Sequence, residues 1–235
     1  RNLMTTGPRM VVGIDYLSLW PDKFGNSGLY LLKDHFTRLI RLYPVSSRDA
    51  ASAAMSVFSY CTTYGKFKIL MSDPGSELTS KGMELLNSWF GIHHRLSLVD
   101  RHESNGVEGN NKQFLRHLRD LIADSLYNRE LAAQEQTAIR NVLETPDVAD
   151  SWSSPQVMEW IAFIMNSYDK GGAGYSAFDL TFGSESRPNF TFPKGPLSAE
   201  NAPEFLRALD DTLRTLKEAS AKHQQQIVSK RSAND

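Results

Sequence analysis

The sequence has very little cysteine and no long apolar run, and both absences limit what the chain can be. Cys61 is the single cysteine among 235 residues, which excludes an internal disulfide and a zinc site built from cysteine pairs. The pair His93-His94 lacks further ligands at the spacing of a structural zinc site, so we interpret it as two histidines at a strand edge. No stretch approaches the length of a membrane-spanning apolar helix, so none is expected.

An excess of basic charge is also missing. Lysine and arginine number 26 against 27 acidic residues, which gives a net charge of −1 and a pI of about 6.7. A dedicated nucleic-acid module is usually basic, so the bulk charge argues against one, although a local basic stripe would still allow nucleic-acid binding. The hydrophobic content of 40% and charged content of 23% are ordinary for a soluble globular domain. The chain begins at Arg1 rather than Met, so we expect a piece of a longer protein.

Five short runs rich in aliphatic and aromatic residues predict β-strands. They occupy residues 9–16, 28–36, 37–45, 66–73 and 92–98. The second and third runs are nearly contiguous, which predicts an antiparallel hairpin that turns between His35 and Arg38. The first run ends at Asp15 and the fourth at Asp73, so the predicted sheet carries an aspartate at the end of two strands.

Apolar residues at helical spacing predict four helices. They occupy residues 49–65, 80–91, 106 to about 123, and a segment that begins at Ser154-Pro155. The predicted buried face of the third helix comprises Val107, Phe114, Leu118 and Leu121, and that of the fourth comprises Val157, Trp160, Ile161, Ile164 and Tyr168. Residues 169–196 are rich in glycine and proline, which is typical of a loop.

This order of elements predicts an α/β fold in which a five-stranded mixed sheet is flanked by helices. The predicted domain comprises residues 1–195, and residues 196–235 are predicted to form a long C-terminal helix, a tail to the domain. Leucines recur along this tail at alternating spacings of three and four, at Leu206, Leu209, Leu213 and Leu216. An exposed apolar seam of this kind is expected to pack on another protomer or on a neighbouring helix.

Three acidic residues stand where a side chain can project from an edge of the sheet. Asp15 and Asp73 end two strands, and Glu108 opens the third helix, 35 positions after Asp73. Such a trio supplies the hard oxygen ligands that Mg²⁺ and Mn²⁺ prefer, and it can hold two ions for a phosphodiester displacement. On spacing alone, chance placement among 27 acidic residues, with Glu108 complementing the helix dipole, explains the pattern at least as well. Glu77 and Glu103 are interpreted as supporting or surface acids, and Asp34 as a residue that supports the hairpin rather than a metal ligand.

The sequence around these acids resembles the catalytic core of retroviral and LTR-retrotransposon (Ty3/gypsy-like) integrases. The similar segments are GIDYLSL, KDHFTRLIRLYPV, SDPGSELTS, HESNGVEGNNKQF and YSAFDLTFGSESRP, and together they span roughly residues 8–190. The family's signature is an aspartate on the first strand, a second aspartate in an Asp-x-Gly-x-Glu context, and a downstream glutamate after Asn-Gly. The matching residues here are Asp15, Asp73 and Glu108.

The resemblance implies an RNase H-like fold and a metal-dependent polynucleotidyl transferase. The implied reactions are 3′-end processing of retroelement DNA and strand transfer into target DNA, with two Mg²⁺ or Mn²⁺ ions held by Asp15, Asp73 and Glu108. A homo-oligomer, dimer or tetramer, is implied, acting on element DNA ends and target DNA in the nucleus after an earlier cytoplasmic particle stage, with no membrane partner. The zinc-binding and chromatin-binding domains that usually accompany integrase cores are not expected within this chain.

Two positions depart from the family pattern. Gly109 stands where the family usually has arginine, and Ser176-Ala177 replaces a usual Ser-Pro pair. Glycine weakens a helix, so a domesticated or inactive domain that binds DNA or chromatin without catalysis stays an alternative. A ribonuclease H proper is a third interpretation. It typically needs a further late carboxylate, for which Asp179 is the candidate.

Polar and basic residues around the third predicted helix are candidate DNA-binding residues. Lys112 and Arg116 follow Glu108 at spacings of four and eight, so they share its helix face, and Arg119 lies near that face. Cations beside a metal-binding carboxylate would hold a phosphate backbone, while salt bridges on a solvated face are the competing interpretation. Asn105 belongs to the same candidate set and is predicted to shape the turn that delivers Glu108.

Overall fold

The computed structural model of the chain describes residues 5–97, 107–134, 147–167 and 175–182. The strands are β1 (Val11–Ser18), β2 (Gly28–Asp34), β3 (Ile40–Val45), β4 (Ile69–Ser72) and β5 (His93–Leu96). The helices are α1 (Ala50–Tyr64), α2 (Lys81–Phe90), α3 (Glu108–Gln134), α4 (Pro155–Ser167) and α5 (Ala177–Phe182). The five predicted strands and four predicted helices are confirmed, and the predicted tail lies outside the described residues.

The five strands form the predicted mixed sheet, and their order in it is β3-β2-β1-β4-β5. β1, β2 and β3 are antiparallel neighbours, whereas β4 pairs in parallel with both β1 and β5. The predicted hairpin joins β2 to β3, and Arg38 takes a left-handed backbone conformation (φ 65°) in its turn. Asp34 supports this turn, because its carboxylate accepts hydrogen bonds from the backbone N–H groups of Phe36 and Thr37.

Helices cover both faces of the sheet. On one face α1 and α2 pack on alternate strand residues, and this core contains Val12, Ile14, Tyr30, Leu32, Val57, Tyr60, Met83 and Leu86. On the other face α3 and α4 do the same, and that core contains Leu29, Leu31, Ile40, Phe114, Leu118, Met158 and Ile161. Because successive side chains of a strand point to opposite faces, β2 contributes to both cores. The architecture is therefore three layers, with the sheet in the middle.

Short polar residues and glycines set the ends of the first two helices. The Asp49 carboxylate caps α1 by accepting a hydrogen bond from the backbone N–H three residues later, and Gly65 follows its last turn. Ser80 caps α2 in the same way, and Gly91 ends it in the left-handed conformation (φ 65°). None of the helices in the described residues has the length and apolar character needed to cross a bilayer.

The length of α3 corrects the sequence-based interpretation. The helix continues to Gln134, whereas its predicted end was near Ala123. Residues 122–134 contain no glycine or proline and include good helix formers, so intrinsic propensity favours continuation of the helix. Gly109 does not prevent the helix from starting at Glu108.

Two further interpretations were wrong. The predicted loop 169–196 contains the short helix α5, which starts with a reciprocal cap between Ser176 and Asp179. Trp160 was assigned to the buried face of α4 but is 54% exposed. The buried face consists of Val157, Met158, Ile161, Ala162 and Met165, which puts Trp160 on the opposite side of the helix.

Candidate active site

Asp15 and Asp73 lie close together across the parallel pair β1 and β4. The last paired residues of these strands are Gly13 and Met71, and each aspartate follows two residues later. The negative charge of Asp73 raises the pKa of Asp15, as expected for neighbouring side chains. Asp15 is inside β1 and not at its end as predicted, because pairing with β2 continues to Ser18 after pairing with β4 has stopped. The two aspartates therefore meet where β4 leaves the sheet.

Two hydrogen bonds hold the Asp15 carboxylate. The backbone N–H of Tyr16 donates to Oδ1 (2.9 Å), and the side-chain amide of Asn111 donates to Oδ2 (2.8 Å). Burial raises the pKa of Asp15 above its ordinary value and the negative charge of Asp73 raises it further, while the hydrogen bonds and the charge of Arg48 oppose these effects. Two like charges in one partly buried place favour the binding of a cation between them.

Asp73 follows directly after β4 and is held from the side of β5. The Ser97 hydroxyl donates to Oδ1 of Asp73 (2.5 Å), and the backbone N–H of Ser97 donates to the carbonyl of Ser72 (2.8 Å). The buried Ser72 hydroxyl lies 2.8 Å from Nε2 of His94. His93 and His94 both belong to the edge strand β5, so the interpretation of this pair as strand-edge histidines is confirmed.

The third predicted acid, Glu108, is the first residue of α3, and its side chain lies outside the described part of the structure. Asn111, three residues later, binds Asp15 and so places the first turn of α3 against the aspartates. Within the described residues, no three histidine, cysteine or acidic side chains form a group that could hold a metal ion. The described site therefore consists of two carboxylates and one amide.

This donor set suits a hard divalent cation. Asp15 and Asp73 offer carboxylate oxygens, the ligand type that Mg²⁺ and Mn²⁺ prefer. The Oδ1 atom of Asn111 is buried and has no hydrogen-bond partner among the described residues. A buried oxygen without a partner costs free energy until a ligand or water satisfies it. The residues present therefore fit the divalent cations that the sequence implies.

Three predicted DNA-binding residues share one side of α3. Lys112, Arg116 and Arg119 are exposed and follow one another at spacings of four and three, while Phe114 on the same helix is fully buried. We call these three cations the basic stripe. It begins one turn after Glu108 and points away from the core. Asn105, the fourth predicted DNA-binding residue, lies outside the described residues.

Two polar residues of the site were not identified from the sequence. Asn111 lies on the same buried stripe of α3 as Val107 and Phe114, so a polar residue on an apolar helix face was the signal that could have found it. Ser97 has no such signal, because a serine after a short strand is common and its contact with Asp73 depends on the pairing of β4 with β5.

Two other acids near the family motifs have structural partners. Glu77 is buried and forms an ion pair with Arg48 at 2.7 Å, so it is a supporting residue, as expected. Asp179 is buried and its carboxylate accepts hydrogen bonds from the backbone N–H (2.8 Å) and hydroxyl (2.9 Å) of Ser176. Its role in capping α5 argues against the ribonuclease H interpretation, which needs Asp179 as a metal ligand.

Comparisons with known proteins give a fold but no family. No protein-family model matches the chain, and no curated protein matches it. A chain of the simian T-cell lymphotropic virus intasome in complex with PP2A regulatory subunit B56 gamma is similar with a TM-score of 0.59 at 12% identity, over 84% of this chain and 63% of that one. The HTLV-2 integrase catalytic core domain in complex with magnesium, in its trimeric form, is similar with a TM-score of 0.51 at 13% identity, over 77% of this chain and 99% of that one.

The chain has the RNase H-like fold of integrase catalytic cores. At these identities the similarity concerns the fold alone. The similarity covers 63% of the intasome chain and 99% of the HTLV-2 core domain. Within this fold, Asp15 and Asp73 are the two predicted acids that the described residues bring together.

Proposed function

We propose that the chain is the catalytic core of a DNA integrase, a metal-dependent polynucleotidyl transferase. It would trim the 3′ ends of retroelement DNA and join them to target DNA, and a Ty3/gypsy-like element is the proposed source. The observation that carries this proposal is the meeting of Asp15 and Asp73 beside the first turn of α3, which begins at Glu108. The similarity of the sequence motifs to integrases and the integrase-like fold support it.

The proposed role of each site residue follows from its contacts. Asp15, Asp73 and Glu108 would hold two Mg²⁺ or Mn²⁺ ions, which when bound stabilise the attacking and leaving oxygens of a phosphodiester displacement. Asn111 fixes the orientation of Asp15, and Ser97 fixes that of Asp73. Carboxylates held in this way need little rearrangement when a cation binds, which is the general role of residues that support metal ligands.

The basic stripe would bind the phosphate backbone of the element DNA end. Lys112, Arg116 and Arg119 are exposed on the helix that begins at Glu108, so DNA held by them would pass close to the carboxylates. Contacts of this kind position DNA without reading its sequence. Their contribution would weaken as the salt concentration rises, because binding releases the counterions of the phosphates.

The proposal extends to assembly and location. We assign the working form to a homo-oligomer, a dimer or tetramer, that acts on element ends and target DNA in the nucleus after a cytoplasmic particle stage. Support for the oligomer comes from the similar solved structures, which are an intasome and a trimeric core domain. We also propose that residues 1–195 form the core and residues 196–235 a helical tail.

Strand transfer tests the proposal directly. Full-length protein would be incubated with duplex DNA carrying the element end and a supercoiled target plasmid, in Mg²⁺ or Mn²⁺. Asp15→Asn, Asp73→Asn and Glu108→Gln should each fold and bind DNA but reduce joining by about a thousandfold or more, and combining them should add little, since residues that act as one unit are not additive.

The competing function has its own outcome in the same assay. A domesticated or inactive integrase-like domain would bind DNA or chromatin while the unaltered protein joins no DNA in either metal. Joining by the Glu108→Gln protein at the rate of the unaltered protein would remove Glu108 from the site and return it to a role at the helix dipole.

A further inference from the structure

Arg48 lies near Asp15 and has no part in the site as proposed so far. It stands just before the capping residue of α1, and its side chain is 55% exposed. Its Nε–H donates a hydrogen bond to Oε1 of Glu77 (2.7 Å), and its guanidinium lies 5.3 Å from the centre of the Tyr16 ring. Tyr16 directly follows Asp15, so the guanidinium lies beside the strand that carries the first aspartate.

The loop after β4 holds Arg48 in this place. Glu77 lies four residues after Asp73, in the same Asp-x-Gly-x-Glu segment, and its side chain is only 7% exposed. A side chain at Gly75 would come within 2.6 Å of Oε1 of Glu77, so glycine leaves the space that the Glu77 carboxylate occupies. The same loop therefore positions Asp73 and, through Glu77, Arg48.

The guanidinium retains unused hydrogen-bonding capacity. Arginine has five N–H donors in a planar fork, and the ion pair with Glu77 uses the one at Nε. In the described part of the chain, Glu77 is the one acceptor to which Arg48 donates. Because the side chain is about half exposed, the remaining donors are accessible to a second acceptor. A planar fork already fixed on one side loses little further entropy when it binds a phosphate.

The charges around Arg48 suggest what that acceptor is. The Arg48 guanidinium lies over the ring of Tyr16, the residue after Asp15, and its positive charge opposes the rise in the pKa of Asp15. Asp15, Asp73 and Glu77 are all acidic, so DNA approaching this edge would meet repulsion from the protein unless a cation offsets it. Arg48 is on the β1 and α1 side of the aspartates, whereas the basic stripe is on α3.

We propose that Arg48 is a phosphate-binding residue of the site, held on one side by Glu77 and binding a DNA phosphodiester on the other. The inference rests on the proposed function, since it assumes that DNA is the substrate. DNA would then be held from two directions, by the basic stripe of α3 and by Arg48. The competing explanation is that Arg48 serves only as the counter-ion of the buried Glu77.

A set of four variants of the full chain separates these explanations. Arg48→Gln removes the cation, Glu77→Gln removes its partner, and the double variant R48Q/E77Q removes both without changing the net charge. Lys66→Gln is the matched control. Lys66 is exposed and precedes the start of β4, whereas Asp73 follows the end of that strand. The probe is a labelled blunt DNA duplex, with affinity measured over a range of potassium chloride concentrations without divalent metal, and each variant's melting temperature is recorded.

We expect Arg48→Gln to weaken DNA binding severalfold and to reduce the slope of log affinity against log salt by about 0.9, the value for one phosphate contact. It should also lower the melting temperature, since Glu77 would stay buried without its partner. The double variant should regain the melting temperature but not the affinity or the slope. Lys66→Gln should bind DNA within about twofold of the unaltered protein, because it removes no phosphate contact. Glu77→Gln should do the same, because an amide oxygen can still accept from Nε of Arg48 and hold the guanidinium in place.

Two results would overturn the inference. One is an unchanged affinity and salt slope for Arg48→Gln. The other is recovery of affinity and slope together with the melting temperature in R48Q/E77Q, which would leave Arg48 as a counter-ion only. Failure of the wider proposal would look different: either the unaltered protein would join no DNA in Mg²⁺ or Mn²⁺, or Asp15→Asn and Asp73→Asn would join it as well as the unaltered protein, whatever the binding data for Arg48 show.

Discussion

At the scale of single residues, Asn111 shows how a helix can serve a site on a neighbouring strand. Its amide nitrogen donates to Asp15, and its buried amide oxygen has no partner among the described residues. Asn111 lies on the same buried side of α3 as Phe114, in a position that an apolar residue could fill. A polar group in that position is explained if it orients a metal ligand and offers its own oxygen to a cation or to a bound water.

Asn111→Ala should therefore impair the site more than the fold. We expect a loss of about 1 kcal/mol in the free energy of unfolding, but a drop in metal-dependent joining of about 10- to 100-fold. Affinity for DNA without divalent metal should be unchanged. Asn110→Ala is the matched control, because Asn110 is also buried on the first turn of α3 but its amide donates to Gln113. Equal losses of joining in the two variants would contradict the role of Asn111.

His35 gives a residue-scale prediction about pH. Burial lowers the pKa of His35 to about 4, and the charge of Lys33 adds to this effect. Its ordinary value is 6.5, so the unfolded chain binds a proton between these values while the folded chain does not. The contribution of neutral His35 to stability is therefore complete above about pH 6.5 and is lost as the pH falls towards 4.

The urea concentration at the unfolding midpoint should accordingly decrease as the pH is lowered from 6.5 to 4. His35→Gln should show a smaller decrease over that range, because it removes the titrating ring. Carboxylates with lowered pKa, such as Asp22, also lose stabilising interactions in acid, so the comparison of the two slopes is the measurement. Identical slopes for the two proteins would mean that His35 does not titrate as its burial implies.

At the scale of elements, α4 completes the edge of the sheet. β3 is an edge strand, and such a strand leaves backbone groups unpaired. The side-chain amide of Asn166 binds the backbone of Ile40 in both directions, accepting from its N–H (2.8 Å) and donating to its carbonyl (2.9 Å). Asn166 is 1% exposed, so these bonds form away from water and fix α4 against the strand.

Asn166→Ala should cost about 3 kcal/mol in the free energy of unfolding, since it leaves a buried N–H and a buried carbonyl without partners. Ser167→Ala is the control. Ser167 is the exposed next residue, and its hydroxyl bonds within α4 to the carbonyl of Phe163, so its removal should change stability by less than about 0.5 kcal/mol. Urea denaturation of both variants gives the comparison, and a small effect of Asn166→Ala would show that water replaces the amide.

Among the helices and strands, some could be predicted from the sequence and others could not. Strands and helices with strong apolar patterns were predicted within a few residues, because burial on one or two faces imposes those patterns. The end of α3 was missed, since no glycine or proline near Ala123 marks a stop and helix propensity alone decides how far the helix continues. α5 was missed because six residues are too few to show periodicity, although its Ser176 and Asp179 cap is present in the sequence.

The two aspartates of the site could be predicted from the sequence, but the residues that support them could not. Asp15 and Asp73 follow apolar runs, and parallel pairing of β1 with β4 brings such positions together. Asn111, Ser97 and Arg48 act through contacts between elements distant in sequence, which no local pattern records. The exposed position of Trp160 could not be predicted either, because an apolar residue at helical spacing is normally buried and nothing local distinguishes an exposed one.

At the scale of the whole molecule, the outer face of α4 and α5 is unusually aromatic. Trp160, Phe163 and Phe182 are each more than half exposed. Their rings form a row with Phe178, with centroids 6.0 Å apart between Trp160 and Phe163, 5.9 Å between Phe163 and Phe178, and 6.2 Å between Phe178 and Phe182. Contiguous exposed apolar surface of this kind marks an interaction site. We call these four residues the aromatic row.

In the proposed homo-oligomer, a second copy of the chain would pack on the aromatic row, because burying its exposed rings is favourable. Replacing Trp160 and Phe163 together by Glu should lower the sedimentation coefficient to that of a monomer at micromolar concentration, because burying two carboxylates in an apolar interface is costly. Phe24→Glu is the control, since Phe24 is equally exposed at 54% but lies in the loop after β1.

The predicted leucine seam of the tail offers a second route to assembly, and truncation tests it separately. If the seam joins protomers, a chain ending at Gly195 should also sediment as a smaller species, with its aromatic row intact. Should the row alone hold the oligomer, truncation would leave the sedimentation unchanged while the Trp160 and Phe163 double variant dissociates. The reverse pattern would remove the row from the interface and assign assembly to the tail. An additive effect of both changes would show two contacts far enough apart to contribute independently.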